Sequence, residues 1–447
     1  MQNPITTRIE HWASTTPDKT ALILGERVWT YSELWETVEG SDTLSAVSAV
    51  SAVSDTVSAT LPALTIDPEA SAFDQVIKAL AKLHGGQPII GATSGSTGAA
   101  KRYQRSQVSW CASFASDQKE FGITPSDVIV APGNLTHSLF SYAVIHGLYV
   151  GSTVVVSESF RPDRVLQQIK THQATVLYGV PTQLKMLAMV GADQKCSSVR
   201  LVLSSGARWF SEITSSLQSL FPKAVIAEFY GASELSYVSL AKHGVDTDLP
   251  AGSVGRAFDG VKIKIEPSAT GRIWINSDGL FEGYLSPPPA DFSEKTDEAG
   301  RRWMSVGDVG YLDAKGYLFL VGRESRKIVV SGKNLHPEEV EQALLAQSAI
   351  IQAAVLGVND DMRGERLLAV VQLKPNSTIT RAELIAGIKP LLEDYKIPRD
   401  YFVLADWPVT ASGKTDFGAI KAAHTSGQTR PLAVSTTPTK QRAANTI

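Results

Sequence analysis

Residues 225–229 (VIAEF) run directly into Tyr230-Gly231-Ala232-Ser233-Glu234, a β-rich stretch ending in a turn that carries an aromatic plane, a hydroxyl and a carboxylate. Comparable short β-rich runs lie upstream at 127–131 (DVIVA), 152–156 (STVVV), 175–178 (TVLY) and 201–203 (LVL). Spaced apolar positions over 161–172 and 181–190 predict intervening helices, the second opening on Pro181, which a helix start tolerates because its missing donor is not needed there. Alternating strands and helices imply a layered α/β sheet, and ligands collect at the strand ends of such sheets. Beyond Gly255 the pattern changes to VKIKIE, GRIWIN, GYLFLV and KIVVS, separated by glycine-bearing turns, which reads as antiparallel β structure. From Pro337 a helix (337–348), two strands (353–358 and 367–373), a second helix (381–392) and a strand (401–405) predict a compact α+β unit, with its boundary near Arg323.

The chain has 447 residues, 43% of them hydrophobic, so it can bury a substantial core. Forty-two basic against 45 acidic residues give a net charge of −3, which argues against nucleic-acid or anionic-membrane binding. Cys111 and Cys196 are too few for a disulfide framework or a clustered metal site, and the expected compartment is a reducing cytoplasm. The amino terminus lacks the features of a secretory signal. The most apolar stretch, 142–156, is interrupted by His146, Ser152 and Thr153 and is shorter than the roughly 18–20 residues of a membrane span. Three consecutive Ser-Ala-Val triplets at 45–53 read as a loose connector over about 41–60, with a short helix as the alternative. The segment 425–447 is expected to be a disordered tail.

Four further stretches carry chemistry. Gly91-Ala-Thr-Ser-Gly-Ser-Thr-Gly-Ala-Ala-Lys101 follows the apolar Pro88-Ile89-Ile90 and offers backbone amides, the hydroxyls of Ser94, Ser96 and Thr97, and a mobile cation, a composition suited to polyphosphate. Ala100 before the lysine and Arg102 after it exclude a Walker A loop. Alone, the loop reads equally well as a surface turn. In the 230–234 turn, Glu234 suits a magnesium ion whose remaining ligands are water and substrate phosphate. Alone, it too has a bland reading, a capped helix start. Gly307-Asp308-Val309-Gly310 leads to Gly322-Arg323, then Ser331-Gly332-Lys333-Asn334 and Pro337-Glu338-Glu339-Val340-Glu341. The last stretch is Pro408 to Asp416, containing Ser412-Gly413-Lys414.

In this order, from about Thr16 to Ala422, the stretches resemble the adenylate-forming superfamily of acyl-CoA and aryl-CoA synthetases, carrier-protein-loading adenylation domains and luciferases. The resemblance implies a large N-terminal lobe of layered α/β sheets with a β-rich subdomain (1–322) and a small mobile α+β C-terminal domain (323–424). It also implies that a carboxylic acid attacks the α-phosphate of Mg-ATP, giving an acyl-adenylate and pyrophosphate before a thiol takes the acyl group. Carried over by motif, Thr93, Ser94, Gly95, Ser96, Thr97, Gly98 and Lys101 hold the β- and γ-phosphates. Ser233 contacts the α-phosphate and Glu234 holds Mg²⁺. Tyr230, with Gly231, lies against adenine together with Ser205-Gly206-Ala207, while Asp308 and Arg323 hold the ribose. Lys414 bridges the substrate carboxylate and the nucleotide, and Ser331-Gly332-Lys333 approach the pantetheine of coenzyme A after the small domain rotates.

Two departures stand out against the family pattern. Ser325 occupies the hinge position where relatives carry Asp or Lys, and the segment before the phosphate loop is abridged. Gly133 to Phe140 takes the place of the substrate-side aromatic motif, with His137 as a wall or gate of the acid pocket; a core or capping histidine is the alternative. The Asp that holds an α-ammonium group in amino-acid-activating relatives is missing, so the expected acid is fatty or aryl and lacks an α-amine. The acceptor is expected to be coenzyme A. The alternatives are a carrier-protein phosphopantetheine, an amine, or a degenerate nucleotide-binding protein.

Overall fold

The computed structural model describes residues 3–50, 72–93, 101–157, 159–207, 209, 212–360, 362, 364–410 and 415–433, with backbone alone for 42–50, 93 and 212. The chain divides into two compact units, the smaller comprising residues 307–310 and those from 321 onward.

In the larger unit, five short parallel strands stand side by side in the order Thr153–Val156, Val128–Ala131, Val176–Gly179, Leu201–Ser204 and Val225–Ala232. Successive side chains on a strand point to opposite faces. Ile129, Val154, Val176 and Leu201 accordingly enter one core, whereas Val130, Val155, Leu177 and Val202 enter another. The first core is closed by the helices Ala72–His84, Gln107–Phe121 and Ser138–Val150. The second is closed by Pro162–Thr171, Pro181–Val190 and Glu212–Leu220. Burial on both faces explains the continuous β-branched runs in place of polar–apolar alternation. After Val225–Ala232 the sheet turns antiparallel through Ser236–His243 and Ser253–Ala257. Lys262–Glu266, Gly271–Asn276, Arg302–Ser305 and Ser293–Thr296 pair antiparallel in turn, as the change of pattern beyond Gly255 predicts.

The smaller unit is built on the strand Gly364–Leu373, which pairs antiparallel with Ile350–Asp360 and parallel with Asp400–Val403. Helices Pro337–Leu345 and Arg381–Ile388 cover one face of this sheet, and Phe417–Thr425 covers the other. The hairpin Ile328–Val330/Lys333–Leu335 turns through Ser331 (φ 51°) and Gly332 (φ 76°). Two successive positive φ angles match a tight hairpin turn of the primed type.

Two expectations are corrected. The Tyr31 helix continues to Val50, so the backbone takes the helical alternative over the first two of the three Ser-Ala-Val triplets, and 51–60 lie outside the described residues. The expected disordered tail is ordered through residue 433: Arg430–Pro431 pairs with Asp400–Val403, and Leu432, 5% exposed, packs into the core of the smaller unit. Residues 434–447 lie outside the described part.

A polar cluster is buried between two helices and the sheet. Asp117 Oδ2 accepts hydrogen bonds from the Tyr142 and Tyr237 hydroxyls, each at 3.0 Å. His146 stacks on Phe114 with its Nδ1 3.4 Å from the same oxygen. Burial pushes the Asp117 carboxyl up to about 8 and the His146 imidazole down to about 3. Between roughly pH 4 and 8 the folded chain therefore keeps a proton that an unfolded Asp117 has released, and stability falls as pH rises through that window. His146 acts in the opposite sense, costing stability as pH falls below about 6.5. Asp117→Asn is therefore expected to gain melting temperature over the parent progressively from about pH 6.5 to 8, where His146 is neutral in both states. Parallel melting curves across that range would rule out the assignment.

Candidate active site

Three of the parallel strands, two of them adjacent and the third separated from these by Val176–Gly179, end at the same edge of the sheet, and each is followed by a segment singled out from the sequence. Val128–Ala131 leads to residues 133–140, Leu201–Ser204 to Ser205-Gly206-Ala207, and Val225–Ala232 to the turn of Ser233 and Glu234. Pairing of Leu201–Ser204 with Val225–Ala232 brings the last two together. This is the carboxyl edge of the parallel sheet, where connections leave room for a ligand.

The 230–234 turn is a tight hairpin. Tyr230 and Gly231 lie on the ascending strand, and Gly231 faces Tyr237 on the returning one. A Cβ at Gly231 would fall 2.2 Å from the Ser236 carbonyl oxygen, so the hairpin closes only with glycine there. The Ser236 hydroxyl lies 2.6 Å from that of Ser113, and Tyr237 is held by Asp117. The hairpin is thus fastened from below by polar side chains of the Gln107–Phe121 helix. Arg105, 4% exposed, adds bonds to the hydroxyls of Ser109 and Ser113 and to the Gly279 carbonyl.

Ser233 donates to the Ser138 hydroxyl at 3.1 Å. Tyr103, its phenol pushed above the usual range by burial, also hydrogen-bonds Ser233. Glu234 is 7% exposed, and its Oε1 accepts from the Tyr284 hydroxyl at 2.5 Å. Among the described residues no three His, Cys, Asp or Glu side chains converge to hold a metal. A divalent cation at Glu234 would therefore draw most of its ligands from phosphate and water, which is the usual habit of magnesium.

Thr93 and Lys101 face each other across the hairpin Ile89–Thr93/Lys101–Arg105, so the phosphate-loop motif is its connection. Ser94, Gly95, Ser96, Thr97 and Gly98 lie outside the described residues. The next residues of the Lys101–Arg105 strand reach the 230–234 turn, because Tyr103 pairs with Tyr284. At Ser138, a cavity of about 40 Å³ is lined mainly by apolar residues, among them Leu83, Ile89, Trp110 and Ile145, together with Tyr103, Thr136 and Ser141. The lining uses Thr136 and Ser138, the neighbours of His137. His137 itself occupies the N-cap position of the Ser138–Val150 helix, with no side-chain cap hydrogen bond.

The remaining predicted residues fall in the smaller unit. Arg323 Nε donates to Asp308 Oδ1 at 2.8 Å, and the Glu324 amide donates to the Gly307 carbonyl at 2.8 Å. The two residues expected at a ribose are thus brought together. Ser331, Gly332 and Lys333 form the exposed hairpin turn, with Lys333 Nζ 4.6 Å from the Tyr395 ring centre. Lys414 lies outside the described residues, but the chain beside it is anchored. Val409 bridges to Thr415, the Asp416 amide donates to the Pro408 carbonyl at 3.0 Å, and Trp407 Nε1 donates to Thr415 Oγ1 at 3.1 Å.

Sequence reasoning missed Tyr284, Ser138, Tyr103 and Arg105. Each acts through a partner distant in the chain, and no local spacing announces such a pairing.

A family model for AMP-binding enzymes matches residues 88–285, and one for the AMP-binding enzyme C-terminal domain matches residues 339–414. An uncharacterized acyl-CoA ligase, YhfT of Bacillus subtilis (strain 168), is 34% identical over 340 residues, covering 74% of this chain and 67% of the relative. A putative long chain fatty acid-CoA ligase, VraA of Staphylococcus epidermidis, is 31% identical over 329 residues, covering 73% and 69%. The O-succinylbenzoate coenzyme A synthetase of Bacillus subtilis, solved in complex with AMP, superposes with a TM-score of 0.78 at 22% identity, over 94% of this chain and 98% of that one.

Gly231→Ala is expected to destabilise the chain by about 1–3 kcal/mol through the forced contact with the Ser236 carbonyl. Chemical unfolding of the full chain measures this, and an unchanged midpoint would mean that the hairpin opens without cost.

Proposed function

The chain belongs to the AMP-binding, adenylate-forming enzymes, with acyl-CoA ligases among its relatives, and from that premise we propose that it activates a carboxylic acid with ATP and passes the acyl group to coenzyme A. The observation that carries this reading is the pairing of Ser233 and Glu234. A hydroxyl and a nearly buried carboxylate are fixed at the carboxyl edge of a parallel sheet, beside an apolar cavity.

In the first half-reaction a carboxylate oxygen of the acid attacks the α-phosphorus of ATP. The bond from that phosphorus to the bridging oxygen breaks, and pyrophosphate leaves. In the second, the thiolate of coenzyme A attacks the acyl carbonyl and AMP departs. Catalysis of such transfers rests on positioning and charge stabilisation.

The hydroxyl-rich loop from Thr93 to Gly98, with Lys101, would hold the outer phosphates, and Ser233 the α-phosphate. Magnesium would neutralise phosphate charge, held on the protein side by Glu234. Tyr284 bonds one Glu234 oxygen, and the other would be available to the cation. Tyr230 and the Ser205–Ala207 backbone would bind adenine, and Asp308 and Arg323 the ribose. Lys414 would stabilise charge developing between the acid and the nucleotide. Ser331-Gly332-Lys333, on an exposed turn, would meet the pantetheine arm of coenzyme A. The motif from Gly133 to Phe140 lacks an Asp that would hold an α-ammonium group, which supports a fatty or aryl acid.

Pyrophosphate release across a panel of acids, run with and without coenzyme A, tests the proposal. Release that requires an acid and is followed by consumption of coenzyme A is the expected result. Exchange with no coenzyme A turnover would redirect the acyl group to another acceptor. Lys414→Ala is expected to lower acid-dependent AMP formation at least ~10²-fold. Tyr284→Phe is expected to raise the magnesium concentration for half-maximal rate about threefold or more, as one hydrogen bond orienting Glu234 is lost. An unaltered magnesium dependence would remove Tyr284 from the site.

A further inference from the structure

Arg326, three residues beyond Arg323, is mostly buried, with 16% of its side chain exposed. Its Nη1 donates to Glu338 Oε1 and Glu341 Oε2, each at 3.0 Å, and its Nη2 donates to Glu341 Oε1 at 2.6 Å. The two bonds to Glu341 form a bidentate fork, the geometry that orients a guanidinium most strictly. The Cζ of the same group lies over the Phe417 ring, 3.6 Å from its centre. Glu341 is itself fixed by the Val355 amide at 2.8 Å. A cation held in its plane by two carboxylates and on its face by an aromatic ring has one orientation available.

Burying these charges gives little net stability, since an apolar side chain of similar volume commonly does as well. What the arrangement supplies is direction, and its two ends show between which points. At one end, Arg326 closes the single turn Glu324–Arg326, whose first amide is tied to Gly307 and which follows the Arg323–Asp308 pair. A Cβ at Gly322 would fall 2.5 Å from Glu338 Oε2, so the Glu338 carboxylate also abuts the chain before the turn. At the other end, Phe417 opens the helix Phe417–Thr425, capped by Asp416, whose Oδ1 accepts from the Ala419 amide at 2.9 Å. Thr415 and Asp416 are the anchored root of the loop that carries Lys414.

We propose that Arg326 is a positioning residue for the adenylation half-reaction, fixing through the Phe417 ring the root of the Lys414 loop relative to the Glu324–Arg326 turn. The proposal rests on the reading of Lys414 given above. Its effect is selective, because Lys414 serves the attack on ATP and not the later transfer to a thiol. A displacement of about 1 Å at such a group costs on the order of 10²-fold in rate.

The test uses the full chain with a good acid substrate and the variants Arg326→Met, Arg326→Lys, Phe417→Leu and Lys414→Ala. Two rates are measured: acid-dependent pyrophosphate release with ATP varied, and single-turnover transfer from supplied acyl-adenylate to coenzyme A. Arg326→Met is expected to lower kcat for pyrophosphate release at least ~10-fold, with KM for ATP and the transfer rate each within about twofold of the parent. Phe417→Leu, which keeps an apolar side chain but removes the ring face, is expected to act in the same direction, and Arg326→Lys to restore part of the loss. Equal losses in both half-reactions, or an unchanged kcat, would overturn the proposal. Should Arg326→Met fail to fold, the Phe417→Leu result decides. If Lys414→Ala itself spares adenylation, the reading of Lys414 fails and this inference with it. If Lys414→Ala abolishes adenylation while Arg326→Met and Phe417→Leu do not, the inference alone fails.

Discussion

A parallel strand covered on both faces cannot return through a tight turn, and most of the larger unit follows from that constraint. Val128–Ala131, Thr153–Val156, Val176–Gly179, Leu201–Ser204 and Val225–Ala232 send alternate residues into two separate cores. Each connection must therefore cross a face as a helix, and all strands end at the same edge. The segments leaving that edge bear polar groups, some of them buried, such as Ser205 and Glu234. Ser205-Gly206-Ala207 and the Ser233–Glu234 turn are neighbours because they leave it from adjacent strands, though nearly thirty residues separate them in the chain.

Beneath that edge the protein buries an unusual amount of polarity. Asp117, His146, Tyr142, Tyr237 and Arg105 are all buried. An uncompensated polar group in such a place costs about 1–3 kcal/mol. The cost goes with definition: Tyr237 and Ser236, held by Asp117 and Ser113, begin the strand that returns from the 230–234 turn. An apolar layer would pack as well but would leave that turn freer to shift. The smaller unit repeats the arrangement around Arg326, where ionic groups set the orientation of an otherwise apolar junction.

Much of this was legible in the sequence, for physical reasons that differ by element. The doubly buried strands announce themselves as β-branched runs, and Pro181 marks a helix start that the structure places at the same residue. The polar motifs suggested a chemistry only through their joint order along the chain, because each alone reads equally well as an ordinary turn or a capped helix start. Other features left no local trace. Arg430–Pro431 is too short to show a period and lies in a polar, proline-bearing segment, so its pairing with Asp400–Val403 could not be read. The Ser-Ala-Val repeat lacks the spacing of an amphipathic helix, yet its first two triplets are helical. Ser138 with Ser233, Tyr284 with Glu234 and Arg326 with Phe417 are tertiary pairings, and only the fold brings their members within reach.

The short pairing at the end of the described chain also bears on how the protein behaves in a crowded solution. Without it, Asp400–Val403 would present a bare row of amides and carbonyls, a template onto which a strand from another molecule could add. Arg430–Pro431 occupies that row, and Pro431 has no amide hydrogen with which to extend the ladder outward. What reads as a polar tail thus works as a shield against self-association, and trimming the chain at the last helix would expose a surface prone to aggregation.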